Sequence, residues 1–104
     1  MMRPAIAALL LSSTLPAMAD ELVEYGRRIA ETNCSRCHAI GSTGASHHPE
    51  APPFRDLSKR YPIDALEEAF AEGIVVAHSD MPEFKPTQQQ GQALLAYIAA
   101  IQSK

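Results

Sequence analysis

Cys34-Ser35-Arg36-Cys37-His38 is the stretch on which the reading of this chain turns. Its two cysteines stand three residues apart, so one helical turn brings both thiols to the same side, and the histidine adjoins the second. C-x-x-C-H is the attachment signature of c-type haem: the thiols add to the porphyrin's vinyl groups and the imidazole reaches the iron from one face. Two other uses of the pattern compete. A thiol–disulfide redox pair sits after a strand in a βαβ context and gives no reason for the histidine. A zinc site wants four ligands, for which His47 and His48 are the candidates. Those two lie in a Gly/Ser/Pro loop, where solvated side chains are the expectation, and haem is the reading adopted.

Working outward, the first 19 of the 104 residues look like an export signal. Arg3 supplies a positive n-region, Ala5 to Leu11 is an unbroken apolar run, Pro16 ends it, and Ala17-Met18-Ala19 is a small-x-small cleavage site. Cleavage there leaves a mature chain of residues 20–104. That chain has 35 apolar residues among 85, too few to bury a large core without a disulfide, metal or cofactor. An export route agrees with the motif, because bacterial haem c is attached outside the cytoplasm; it places the protein in the periplasm. Left uncleaved, the same segment would be an N-terminal tether.

The mature part carries eight Lys and Arg against twelve Asp and Glu, a formal charge of −4, with no basic run and no Trp. Nucleic acid is not expected as a partner on that ground. No mature segment approaches the ~20 consecutive apolar residues that span a bilayer, so no membrane association of the mature form is expected.

The mature chain reads as helices joined by proline-rich loops. Leu22, Gly26, Ile29 and Ala30 share one face of a helix over residues 20–33, with Asp20 and Glu21 suited to its positive N-terminal end. A second helix starts at Pro62, carries Ile63, Leu66 and Phe70 as its apolar stripe, and stops at Gly73. A third follows Pro86, with Thr87-Gln88-Gln89-Gln90 as a capping box and Leu94, Tyr97, Ile98 and Ile101 on one face. Ile74 to Ala77 is the only β-like run, and alone it makes no sheet.

A six-coordinate haem needs a second axial ligand. Met1, Met2 and Met18 leave with the signal, so Met81 is the only thioether in the mature chain. It lies in Ser79-Asp80-Met81-Pro82, a polar, proline-bounded loop that suits a sulfur held against a metal better than core filling. His78 is the rival ligand, set aside as a loop histidine that bonds locally.

With these residues in place, the mature chain resembles a small class I cytochrome c of the bacterial periplasm, over essentially its whole length. The family's N-terminal helix has a glycine eight residues before the first cysteine, matching Gly26, and its C-terminal helix has an aromatic that packs across that glycine, matching Tyr97. Ala30 departs from the family, falling where many members place an aromatic and leaving less cover for the haem edge. The resemblance also implies that a proline after the motif offers its own carbonyl, or that of a neighbour, to the Nδ1–H of the proximal histidine, and in Ala51-Pro52-Pro53-Phe54 the choice for that position is Pro52. His47-His48 is an addition without a family role.

The expected protein is therefore an all-α domain of the cytochrome c fold, three main helices around one covalent haem c. Cys34 and Cys37 tether the haem, His38 and Met81 bind the iron, and Pro52 supports His38. The expected function is electron transport by a monomer that meets its redox partner protein transiently. With both axial sites filled, no enzyme activity is expected. The alternatives are a catalytic or ligand-sensing haem protein with a labile Met81, and a haem-free thiol–disulfide oxidoreductase.

Overall fold

The computed structural model describes residues 14–73 and 80–103. The β-like run Ile74 to Ala77 and His78 lie outside them, as do residues 1–13 of the expected export signal. Four helical elements occur in order: α1 (Thr14–Asn33), a short 3₁₀ helix (Phe54–Lys59), α2 (Ile63–Glu72) and α3 (Gln88–Ala100). No β-strand occurs among the described residues, in keeping with an all-α fold.

α1 starts six residues before the expected Asp20. Pro16 falls in its first turn, where a missing N–H interrupts no intrahelical bond, and Ala17 to Ala19 are compatible with helix. The expected processing point after Ala19 thus lies inside this helix. No helix among the described residues is long and apolar enough to cross a membrane.

α2 begins one residue later than expected. Pro62 is its N-cap, with an extended backbone at φ −60° and ψ 144°, rather than its first helical residue. Gly73 ends it at φ +94°, a conformation that an L side chain would strain. α3 opens with both halves of its capping box formed. Gln90 N–H donates to Thr87 Oγ1 at 3.1 Å, and Thr87 N–H donates to Gln90 Oε1 at 2.9 Å.

α1 and α3 cross at Gly26. A Cβ at that position would fall inside the carbonyl of Ala93 and 2.8 Å from Cβ of Tyr97, so only glycine lets the two backbones meet. Ile29, Ala30, Ala93, Leu94, Tyr97 and Ile98 bury the seam, joined by Phe54 and Leu57 of the 3₁₀ helix and Phe70 of α2. Leu94 and Ile98 are each 1% exposed, and Ala30 is completely buried. Ala30, where the family often has an aromatic, thus sits wholly inside the seam.

The end of α3 is stitched to the 3₁₀ helix. The Gln102 amide Nε2 donates to Phe54 O at 2.6 Å and Ile98 O at 2.8 Å, and its Oε1 accepts from Ser58 N–H at 2.7 Å. Ser103 N–H donates to Arg55 O at 2.7 Å.

Candidate functional site

The Cys34–His38 stretch forms the turn that ends α1. Cys34 N–H still donates to Ala30 O at 2.8 Å, as the last helical bond, and His38 N–H donates to Cys34 O at 2.9 Å. This winds Cys34, Cys37 and His38 into one turn, all three half-buried, with both cysteines unpaired.

From this turn the chain runs through an irregular loop back to the 3₁₀ helix. The loop is fastened at several points: Ala39 N–H donates to Ser46 Oγ at 2.9 Å, His48 N–H to Cys37 O at 3.0 Å, and Phe54 N–H to Ala39 O at 2.9 Å. The fastening brings Pro52 to His38, whose Nδ1 lies 2.8 Å from the Pro52 carbonyl oxygen. A carbonyl only accepts, so Nδ1 carries the proton and Nε2 keeps the lone pair that a metal can take. The Phe54 ring packs against the same imidazole, centroids 5.0 Å apart and tilted by 49°.

Met81 is half-buried in the segment that leads to α3. The two residues after it are exposed, Phe84 packs against the core, and Pro86 is buried just ahead of the Thr87 cap. On its other side, Asp80 accepts a hydrogen bond from His48 at 3.0 Å. His48 is therefore not the solvated loop residue expected, whereas His47 is exposed. The rival ligand His78 lies outside the described residues.

Burial pushes the Cys34 thiol up to about 11. At neutral pH this thiol is protonated and so is a poor attacking group for thiol–disulfide exchange. No group of three or more His, Cys, Asp or Glu among the described residues is arranged to hold a metal ion.

Several contributors have no signature in the sequence. Tyr97, placed by the helical period, also donates its hydroxyl to Ile40 O at 2.6 Å and so ties α3 to the loop after the motif. Among the described residues, Nη1 of Arg55 is a buried side-chain donor without a hydrogen-bond partner. A buried guanidinium nitrogen in that state calls for an anion, and the carboxylates of a haem would supply one. Two thiols in one turn, an imidazole with its Nδ1–H engaged, and an orphaned cationic donor together fit a covalent haem.

Residues 23–102 match the family described as Cytochrome c. No match was found among curated proteins or among solved structures.

Proposed function

The chain belongs to the cytochrome c family, which binds covalent haem c and serves electron transfer, and on that premise we propose a periplasmic electron carrier with one haem, ligated by His38 and Met81. The contact between His38 Nδ1 and the Pro52 carbonyl carries this reading. It orients the imidazole and raises the basicity of Nε2, which is what a proximal ligand needs. A bound haem supplies the redox chemistry, its iron cycling between ferric and ferrous. Cys34 and Cys37 fix the haem to the turn after α1, and the single pair of cysteines supports one haem per chain.

Met81 is the thioether offered from the other side of the sequence, and methionine ligation favours ferrous iron and raises the potential over two imidazoles. With His38 and Met81 both holding the iron, no coordination position would be left for substrate, which supports a carrier rather than an enzyme. The signal-like residues 1–19 support export. A negatively charged carrier of this size suits brief encounters with a basic face on a redox partner, over less than ~1,200 Å² of buried area.

The test is the protein from a host able to attach haem c. The colour should stay with the denatured polypeptide, and the ferric protein should show the weak far-red band of methionine ligation. Rapid cyanide binding at low concentration would replace this reading by an open-site haem protein. A colourless protein that cycles a Cys34–Cys37 disulfide would replace it by a thiol oxidoreductase.

A further inference from the structure

We propose that His48 is a positioning residue for Met81, clasping the methionine segment to the haem-attachment turn. This rests on Met81 being the second ligand.

The structure gives His48 two sets of bonds that point in different directions. Its main chain belongs to the attachment site: His48 N–H donates to Cys37 O at 3.0 Å, and His48 O accepts from Ala51 N–H at 3.1 Å. Its side chain reaches 32 residues along the sequence, to Asp80. The ring is fixed by a third bond, because Glu50 N–H donates to Nδ1 at 3.0 Å. An Nδ1 that accepts is unprotonated, so Nε2 is the N–H and donates to Asp80 Oδ2 at 3.0 Å. One tautomer thus serves both partners, and Pro49 stiffens the backbone between His48 and Glu50.

Asp80 is the residue before Met81. On the far side, Phe84 packs on the core and Pro86 is buried, so that end of the segment is held by apolar contact. The Asp80 to His48 bond holds the near end, and Met81 hangs between the two anchors. The imidazole side chain is 24% exposed and the carboxylate 64%, so a well-seated ring grips a largely solvated partner. Such a bond contributes modestly to the fold, but it fixes the residue next to Met81 and so limits how far the thioether can swing away. This accounts for the second histidine of His47-His48.

The experiment titrates imidazole into the ferric holoprotein, since imidazole binds iron only when Met81 leaves. In His48→Ala, the far-red band should persist and apparent imidazole affinity should rise about two- to fivefold, the range of one partly exposed hydrogen bond to a carboxylate. Asp80→Ala should give the same rise, and the double variant no more than either single one. His48→Gln should restore wild-type affinity, because its amide Nε2 stands as many bonds from Cβ as the imidazole Nε2. Wild-type affinity in His48→Ala, or effects that add in the double variant, overturns the clasp while leaving the ligation intact. A wild-type ferric protein without the methionine band overturns the ligation itself, and the clasp with it.

Discussion

Gly26 of α1 faces the carbonyl of Ala93 on α3 with no room for a methyl group between them. Gly26→Ala favours helix by about 1 kcal/mol in isolation, so any loss of stability reports the crossing alone. The obstructing atoms are backbone, which cannot rotate aside, and the helices must part. We expect the holoprotein to lose about 1–3 kcal/mol net, a melting temperature lower by roughly 5–20 °C. A melting temperature equal to or above wild type would show that the helices do not meet there.

Tyr97→Phe removes the hydroxyl that donates to Ile40 O and leaves that carbonyl without its donor. The expected cost is about 1–2 kcal/mol in denaturant titration. Burial raises the Tyr97 pKa above its usual 10.0, meaning that the folded state prefers the neutral phenol. Its contribution is complete below pH 10 and is lost as pH rises through the higher folded value. The alkaline decline in wild-type stability should therefore be shallower in Tyr97→Phe; identical alkaline slopes would exclude Tyr97 as its source.

Met81→Ala should keep haem attached through Cys34 and Cys37, abolish the far-red band and lower the reduction potential. The iron should then either accept exogenous ligands or take His78, and the double variant with His78→Ala separates these outcomes. Retention of the wild-type spectrum and potential in Met81→Ala, with both changed in His78→Ala, would identify His78 as the ligand.

Replacing Cys34 and Cys37 by Ala removes the tethers without altering any helical pattern. A core of this size needs the haem as part of its apolar mass, so circular dichroism of the haem-free variant should show mostly disordered chain. A cooperative melt in that variant would mean that the seam of α1 and α3 suffices without haem.

What was legible in the sequence was local. The capping box from Thr87 to Gln90 spans three residues, and both bonds form as read. Gly73 and the stripe of Ile63, Leu66 and Phe70 bounded α2 for the same reason. The approach of Pro52 to His38, across 14 residues, came from resemblance to a family and not from any period. The 3₁₀ helix went unread because Phe54 and Leu57 are too few to show a repeat, and one of its ties is to Gln102, 48 residues beyond Phe54. His48 was misjudged for the same reason: a loop composition says that water is near, and says nothing of an aspartate 32 residues away. α1 ran past Asp20 because residues read as a processing signal are also helix formers.

The bonds from Gln102 back to Phe54 and from Tyr97 back to Ile40, together with the crossing at Gly26, set an order of events during synthesis. Each joins the last helix, or the residues just after it, to a part of the chain made tens of residues earlier, so the closing contacts wait for the end of α3. Until then the emerging chain has α1 without the surface it packs on, and an isolated helix of that kind is marginal in water. A polypeptide whose two ends must both be present before either is secure stays pliant to its last residues. On the export route proposed above, late closure would keep the chain threadable.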